Sequence, residues 1–341
     1  MVTIPKTVPL MHKDIIFLLE VKASTRQKVI NFVKEWNSTD EWITVNTSGS
    51  TGKPKAIKLL KQQMVASANA TIQFFNLQPN QTILLTLSPD YIAGKMMMVR
   101  ALINQMKIVV APIQSNPLLL DIEQSIDFSA FVPMQVQTIL GHPKSKLNYE
   151  HIKTVIIGGG AINKVLEKQI QSLTNQNYAT FGMTETISHI ALRNINAKEE
   201  CFTALPNVTF STHRHNCLTI NAPKICNHPL LTHDCVDLLN DKQFKWKGRQ
   251  DFAINSGGIK LHPEEIEQKI APYIKESRFY LIGEQDNLLG EKLILKIEGN
   301  QFNLEALKQK LKSVLTKFEQ PKRIDLISNF QETKTGKIIR S

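Results

Sequence analysis

The chain lacks the features that mark several large classes of protein. It has no run of roughly 18 consecutive apolar residues, so no transmembrane helix is expected. It has only 4 cysteines, none in a CxxC pair, and no signal peptide is recognisable before them. We therefore expect reduced thiols in a cytoplasmic protein. At 341 residues, 42% of them hydrophobic, the chain can bury a large core and form two or three domains.

The chain also lacks a basic run interleaved with aromatic residues. Its 41 lysines and arginines exceed its 30 acidic residues and give a formal net charge of +11, but the basic residues are spread along the sequence. A spread charge argues against nucleic acid as a partner. It suits a protein whose ligands are small polyanions.

A cluster of cysteine and histidine raises the alternative of a zinc site. The residues are Cys201, Cys217, Cys226, Cys235, His213, His215, His228 and His233. Their intervals are irregular for structural zinc, and the surrounding residues alternate in polarity as strands do. The pattern favours strands, and zinc stays open as the less favoured alternative.

Short apolar runs alternate with helix-like segments between residues 42 and 190. Examples are Thr82–Leu87, Lys107–Val110 and Thr154–Ile157, which predict an α/β architecture. The first forty residues predict a helical lead-in, 201–247 a small β subdomain, and the remainder a mixed α+β domain. We expect a large N-terminal α/β domain over 1–248 and a small mobile α+β C-terminal domain over 249–341.

A dense polar loop follows a strand-like run at Trp42–Val45. Its candidate phosphate ligands are Thr47, Ser48, Gly49, Ser50, Thr51, Gly52, Lys53 and Lys55. Glycine backbone N–H groups and lysine charges suit anionic oxygens. The loop is not a Walker A motif, because two residues separate its glycines and Pro54 follows Lys53. A plain polar turn is the alternative interpretation.

This loop resembles the phosphate loop of the adenylating enzymes, the superfamily that includes acyl-CoA synthetases, peptide adenylation domains and luciferases. Further segments match that family in order along the chain, over roughly residues 42 to 341. The N-terminal part is shorter than is usual in the family. The resemblance implies ATP, Mg²⁺ and coenzyme A as ligands, and a reaction through an acyl-adenylate to a thioester.

The resemblance also assigns roles to individual residues in the N-terminal domain. Gly158, Gly159 and Gly160 form a turn that contacts the adenine, and Phe181, Gly182 and Met183 lie beside the nucleotide. Thr184 binds the α-phosphate and Glu185 holds Mg²⁺, although a lone carboxylate is more often a surface residue. Asp234 binds the ribose, with His233 in place of the family's usual glycine.

Four roles fall at and beyond the predicted domain boundary. The resemblance implies that Arg249 binds ribose or phosphate and that Asp251 is the hinge. It implies that Gly257 and Gly258 let the pantetheine arm of coenzyme A pass. Lys337, in a C-terminal segment that could instead be a solvated tail, enters the active site for adenylation alone.

The acyl substrate is indicated by a narrower resemblance. The segments with Gly94, Lys95, Ser188 and His189 look most like those of 2-succinylbenzoate-CoA ligases of menaquinone biosynthesis. A second carboxylate needs a cation, and Lys95, Arg100, His189 or Arg193 could supply it; a solvated helix face is the alternative for Lys95 and Arg100. Other possibilities are a ligase for another aryl or short-chain acid, a carrier-protein loading enzyme, and a non-catalytic AMP-binding regulator.

Overall fold

The computed structural model describes residues 14–46, 56–274, 277–299, 301–332 and 338–340. The phosphate-loop residues Thr47–Lys55 and the predicted catalytic Lys337 lie outside the described residues. The chain divides into two compact units. The first comprises Met1–Ile162, Lys168–Thr209 and Asn221–Leu230, and the second Asn163–Glu167, Phe210–Ile220 and Leu231–Ser341.

Strands and helices alternate through the first part of the chain. Its strands are β1 (Ile15–Phe17), β2 (Trp42–Asn46), β3 (Ala56–Leu60), β4 (Thr82–Leu85), β5 (Lys107–Val110), β6 (Phe128–Phe131), β7 (Thr154–Ile157), β8 (Gln176–Gly182), β9 (His189–Asn194) and β10 (Phe202–Ala204). Its helices are α1 (Ala23–Trp36), α2 (Lys61–Phe75), α3 (Ile92–Ile103), α4 (Pro133–Leu140), α5 (Pro143–Glu150) and α6 (Lys164–Gln171).

A mostly parallel sheet forms the centre of the first unit, in the order β1-β5-β4-β6-β7-β8-β9-β10. The strands from β1 to β8 along this order pair in parallel, and β9 and β10 are antiparallel. Strands β4 and β6 are buried at every residue, as expected of a parallel sheet covered on both faces. The α/β prediction is confirmed here.

The described part of the predicted helical lead-in opens with a strand, not a helix. Ile15–Phe17 form strand β1, which pairs with β5, and helix α1 begins only at Ala23. The apolar residues of this stretch do recur at helical spacing farther on, where Val29, Phe32 and Trp36 are buried. For Ile15–Phe17, pairing with the buried strand β5 outweighed the helical periodicity of the sequence.

Helix α3 is buried on all sides. Residues 94 to 102 are all buried, including Lys95 and Arg100. The sequence between the two cations is Met96-Met97-Met98-Val99, so the helix has no polar face to present to water. The alternative of a solvated helix face is therefore wrong for both residues.

Gly94 lets helix α3 approach the preceding loop closely. A Cβ atom at this position would lie 2.2 Å from the backbone oxygen of Ser88 and 2.8 Å from that of Leu87. We expect Gly94→Ala to lower the free energy of unfolding by about 1–3 kcal/mol in urea titrations, because backbone cannot yield as a side chain does. Gly141→Ala is the matched control, since φ at Gly141 is −74° and an added Cβ would lie 3.5 Å from its nearest neighbour, the backbone oxygen of Thr138. Equal stability of the two variants would contradict the close approach.

The second part of the chain is richer in antiparallel strands. They are β11 (Thr209–His213), β12 (Cys217–Asn221), β13 (Leu230–Asn240), β14 (Gln243–Arg249), β15 (Ile254–Ser256), β16 (Ile259–Leu261), β17 (Phe279–Asp286), β18 (Gly290–Glu298) and β19 (Arg323–Ile327), with helices α7 (Pro263–Ile270) and α8 (Leu304–Val314). Strands β14-β13-β12-β11 are neighbours in that order. A separate sheet has the order β16-β15-β18-β17, and β19 pairs with β18.

The core of this C-terminal sheet is formed where its apolar face meets the two helices. Ile266 and Ile270 of α7 and Leu307 and Leu311 of α8 are buried in one cluster with Leu295 of β18. The amphipathic pattern of both helix sequences thus places their apolar stripes against the sheet. No helix among the described residues is both long and apolar enough to cross a membrane.

Candidate active site

The loop after strand β8 carries the predicted phosphate and magnesium residues. Thr184 is half-buried and Glu185 is exposed. The buried Thr186 organises the loop, because its hydroxyl oxygen accepts the N–H of Met183 at 2.9 Å and lies 2.7 Å from the carbonyl oxygen of Ser188. The loop thus has a fixed shape while Glu185 stays accessible.

The same loop contains a strained backbone position. Ile187 has φ of 65° and is 1% exposed. A β-branched residue in the left-handed region is a genuine outlier, and such strain of roughly 1–3 kcal/mol persists where the surroundings fix the chain. The Ile187 N–H donates to the carbonyl of Thr184 at 2.9 Å, which ties the strained residue to the predicted phosphate ligand.

The predicted adenine-side residues lie at the ends of adjacent parallel strands. Gly158 follows β7 and donates its N–H to the carbonyl of Phe131 at 3.1 Å, and Gly159 and Gly160 continue the turn. Phe181 and Gly182 end β8, beside a register shift in the β8–β9 pairing. Because β7 and β8 pair in parallel, the two segments reach the same edge of the sheet. Nucleotide binding by these residues and by Met183 stays a prediction.

The predicted ribose residues meet on a hairpin. Strands β13 and β14 pair with Asp234 opposite Arg249, and an Arg249 nitrogen lies 3.8 Å from an Asp234 carboxylate oxygen. The indole N–H of Trp246 donates to Asp234 at 2.9 Å. Burial raises the pKa of Asp234, opposed by the hydrogen bond from Trp246 and the charge of Arg249. One donor thus orients the carboxylate, and ribose binding by Asp234 and Arg249 stays a prediction.

Asp251 is held by two neighbours. Arg249 donates to it from Nη2 at 2.6 Å, and His233 Nδ1 lies 2.5 Å from its other oxygen. Burial opposes ionisation of this carboxyl, but the hydrogen bonds from His233 and Arg249 outweigh it and lower the pKa of Asp251. His233, which departs from the family pattern, therefore has a structural partner. The hinge role of Asp251 stays a prediction.

Gly257 and Gly258 form the two-residue turn between β15 and β16. Their φ values are 60° and 79°, so both have the left-handed conformation of a tight hairpin turn. Gly257 also donates its N–H to the carbonyl of Leu289 at 2.8 Å. The turn accounts for the glycine pair by itself, and passage of coenzyme A over it stays a prediction.

The predicted acyl-substrate residues include two buried cations with different surroundings. Lys95 Nζ lies 3.4 Å from a carboxylate oxygen of Glu35 and 4.5 Å from the ring centre of Phe32. Arg100 donates from Nη2 to the Ser188 hydroxyl at 2.9 Å, and its Nη1 lies 3.7 Å from the sulfur of Met97. The charge of Lys95 is therefore compensated, whereas no carboxylate of the described residues pairs with Arg100.

Arg100 is 1% exposed, and its Nε has no hydrogen-bond partner among the described residues. Burial lowers the pKa of Arg100 to about 9, so the guanidinium still carries its charge at neutral pH. An unpaired buried cation is costly, and an anionic ligand would relieve that cost. This is the feature of the site that most directly indicates an acidic substrate group.

His189 is not the spare cation that the sequence suggested. Burial, and then the charge of Arg100, lower the pKa of His189 well below its ordinary value, so the imidazole is neutral. Its Nε2 lies 3.1 Å from the Thr71 hydroxyl and its Nδ1 3.3 Å from the Ser188 hydroxyl. Arg193 donates to the carbonyl of Glu199 at 2.9 Å and lies over the ring of Phe202.

The cysteine and histidine cluster gathers less closely than a zinc site requires. Within the described residues, no three histidine, cysteine or acidic side chains are grouped as ligands of one ion. The sulfur atoms of Cys217 and Cys235 lie 3.9 Å apart, and burial raises the pKa of the Cys235 thiol to about 11. Mg²⁺ needs fewer protein ligands than zinc, because it is commonly held by one or two carboxylates together with substrate phosphates. Exposed Glu185 fits that requirement.

The family of this chain is shown by its similarity to known proteins. The model of the family described as AMP-binding enzyme matches residues 5–212 of this chain. The chain belongs to the AMP-binding enzyme family. The predictions of an adenylating enzyme of the acid-CoA ligase class and of its α/β fold are thereby confirmed at the level of the family.

Relatives with known names or structures agree with this assignment. The chain is 26% identical to the 2-succinylbenzoate-CoA ligase of Lactococcus lactis, over 96% of this chain and 79% of that one. It is 33% identical to an acyl-CoA synthetase (AMP-forming)/AMP-acid ligase II-like protein of Dyadobacter fermentans, with a TM-score of 0.65 and 94% of both chains covered.

The fold is also that of the o-succinylbenzoate CoA synthetase of Bacillus subtilis. The structure of that enzyme with its acyl-adenylate intermediate has a TM-score of 0.73 at 18% identity, and covers 86% of this chain and 67% of that one. The structure of the same enzyme with ATP and magnesium has a TM-score of 0.72 at 18% identity, over 86% of this chain and 68% of that one. At this identity the likeness concerns the fold alone.

Three contributors to this AMP-binding enzyme's candidate site escaped sequence reasoning. Thr71 lies in a segment without a distinctive spacing, and Thr186 lies in the predicted phosphate and magnesium segment but was given no role; no sequence signal could have found the partners of either hydroxyl. Trp246 offered a weak signal, because an indole N–H in a β-hairpin needs an acceptor and Asp234 lies on the strand before it.

Proposed function

We propose that the protein is a 2-succinylbenzoate-CoA ligase of menaquinone biosynthesis. The observation that carries the proposal is the charge of Arg100, buried beside Ser188 without a carboxylate partner among the described residues. A benzoate or fatty acid has only the carboxylate that reacts. 2-Succinylbenzoate has two, so the unreacting carboxylate can pair with a buried guanidinium. The name of the Lactococcus lactis relative supports the same substrate.

We further propose how the chain's residues divide the chemistry. In the first half-reaction a substrate carboxylate attacks the α-phosphorus of ATP and pyrophosphate leaves. Thr184 donates to the α-phosphate, Asp234 binds the ribose, and Lys337 adds positive charge as charge develops. Mg²⁺ held by Glu185 would supply further neutralisation of phosphate charge. In the second half-reaction the thiolate of coenzyme A attacks the acyl-adenylate carbonyl and AMP leaves.

The location is part of the proposal. The four cysteines are free, and three of them are buried. Free thiols 3.9 Å apart, as in Cys217 and Cys235, suit a reducing compartment. We infer a cytoplasmic enzyme.

A pyrophosphate-release assay tests the substrate directly. We expect 2-succinylbenzoate to exceed benzoate by at least about 100-fold in kcat/KM, since an unpaired buried charge costs several kcal/mol. Two analogues refine the comparison: benzoylpropionate lacks the ring carboxylate, and butyrylbenzoate lacks the side-chain carboxylate. Each should be a poor substrate.

Pyrophosphate release, measured together with formation of the coenzyme A thioester, distinguishes the rival functions. Preference for benzoate or a medium-chain acid would reject the substrate while leaving the adenylating mechanism intact. Pyrophosphate release without a coenzyme A-dependent thioester would favour a carrier-protein loading enzyme. Absence of release with every acid would favour a non-catalytic AMP-binding regulator.

A further inference from the structure

Four side chains form one connected chain of hydrogen bonds in the first unit. Arg100 of α3 reaches the Ser188 hydroxyl at 2.9 Å, Ser188 reaches His189 Nδ1 at 3.3 Å, and His189 Nε2 reaches the Thr71 hydroxyl of α2 at 3.1 Å. Thr71 is 0% exposed and His189 6% exposed. These hydrogen bonds therefore link the buried face of α2 to the arginine proposed to face the substrate, largely out of contact with water.

The positions of the protons follow from what each group can donate. The Thr71 hydroxyl has one hydrogen and donates it to the carbonyl of Ser67 at 3.3 Å, one helical turn earlier. Its oxygen then accepts from His189, so the imidazole carries its proton on Nε2. A neutral imidazole has one N–H, and His189 Nδ1 must therefore accept the hydroxyl hydrogen of Ser188.

Electrostatics favours the same tautomer of His189. In that tautomer the unprotonated Nδ1, which carries partial negative charge, faces Ser188 and the positively charged guanidinium that Ser188 contacts. The opposite tautomer would direct an N–H toward a buried cation. Hydrogen bonds aligned from Arg100 to Ser67 also polarise one another in the same sense.

We propose that Thr71 is a positioning residue for substrate selection, because it fixes His189 as the Nε2–H tautomer and so makes the Ser188 oxygen an acceptor that orients Arg100. Its kinetic consequence rests on the proposed function. The hydroxyl hydrogen of Ser188 is used by His189, so Ser188 does not donate to the substrate. The second carboxylate is bound by Arg100, whose Nε has no partner among the described residues.

The tautomer can be measured on the wild-type enzyme without any substrate. Nitrogen NMR with isotopically labelled histidine separates protonated from unprotonated ring nitrogens, and the spectrum of His189→Gln assigns the His189 signals. We expect a protonated Nε2 and a bare Nδ1. A proton on Nδ1 would overturn the proposal, whatever acid the enzyme uses, so this result is independent of the substrate assignment.

Kinetics of two variants tests the consequence. Thr71→Val keeps the shape and removes the hydroxyl, leaving the His189 N–H without its acceptor. We expect the KM for 2-succinylbenzoate to rise about tenfold with kcat within about twofold, and Thr71→Ser to restore the KM. The KM for ATP should be unchanged in both variants.

Other outcomes contradict the proposal. A wild-type KM for 2-succinylbenzoate in Thr71→Val, or no recovery in Thr71→Ser, would show that the hydroxyl is not needed. Parallel rises in the KM for ATP and for the acid would indicate a general structural role. If Thr71→Val does not fold, the wild-type tautomer and the Thr71→Ser kinetics decide the question.

Discussion

Replacing Arg100 with methionine should stabilise the protein and remove its preference for a dicarboxylic acid. Methionine has a similar length and no charge, so it keeps the packing of buried helix α3 while abolishing an unpaired buried cation. We expect the free energy of unfolding in urea to rise by about 1–3 kcal/mol, as when buried charges are replaced by apolar groups of similar volume. A residue retained at a cost to stability is the signature of a functional site.

The same substitution should lower kcat/KM for 2-succinylbenzoate by about 100-fold or more, because the second carboxylate would be buried without a partner. If Arg100 binds the ring carboxylate, the substitution should lower kcat/KM far less for benzoylpropionate, which lacks that carboxylate. If Arg100 binds the side-chain carboxylate, kcat/KM should fall far less for butyrylbenzoate, which lacks that one. The measurement is a comparison of kcat/KM for the three acids in wild type and variant.

Lys95→Met is the matched control, since it changes the other buried cation of the same helix. Lys95 is already paired with Glu35, so its loss should weaken stability and leave the ratio among the three acids unchanged. Loss of dicarboxylate preference in Lys95→Met but not in Arg100→Met would transfer the role to Lys95. Loss of stability in Arg100→Met would show that the guanidinium is better compensated than its contacts indicate.

The sequence was most informative where a pattern repeats along the chain. Apolar runs such as Thr154–Ile157 predicted buried parallel strands, and that strand is buried at three of its four residues. Asp234 and Arg249 lie 15 positions apart, and the hairpin between them brings the two opposite each other, a pairing that antiparallel strands of that length produce. Short-range patterns in the sequence therefore predicted the strands and the hairpin that position the candidate site.

Burial of single charges was harder to predict, because it depends on what packs against the helix. Helix α3 packs against α2, and Arg100 contacts Ser188 in the loop before β9, 88 positions away in sequence. One signal was available: four consecutive apolar residues between Lys95 and Arg100 leave no polar face. The contact between Thr71 and His189 joins residues 118 positions apart, and single-sequence periodicity carries no information about such pairs.

Lys337→Ala should abolish adenylation almost completely while sparing the second half-reaction. Lys337 lies outside the described residues, so this prediction depends on its motif, in which Thr333-Lys334-Thr335-Gly336-Lys337-Ile338 resembles the final motif of adenylating enzymes. The described residues after it are firmly held: Arg340 forms two hydrogen bonds to the carboxylate of Glu267, at 2.8 and 2.9 Å.

The expected loss follows from the charge that develops when the substrate carboxylate attacks the α-phosphorus. Removing a positive group that stabilises that charge should lower the rate of acyl-adenylate formation by about 100-fold to 1,000-fold. Thioester formation from synthetic acyl-adenylate and coenzyme A should stay within about threefold of wild type, because Lys337 is expected to leave the active site before the thiol reacts. The two rates are measured separately, by pyrophosphate release and by thioester appearance.

Lys334→Ala provides the control, because it removes the same charge three residues earlier in the same motif. It should leave both half-reactions near wild-type rates. Equal losses in the two lysine variants would indicate a general electrostatic effect on a polyanionic ligand, which added salt would reduce. Loss of both half-reactions in a folded Lys337→Ala enzyme would instead show that the lysine serves a step common to both, such as holding the AMP moiety, and would end its assignment to adenylation alone.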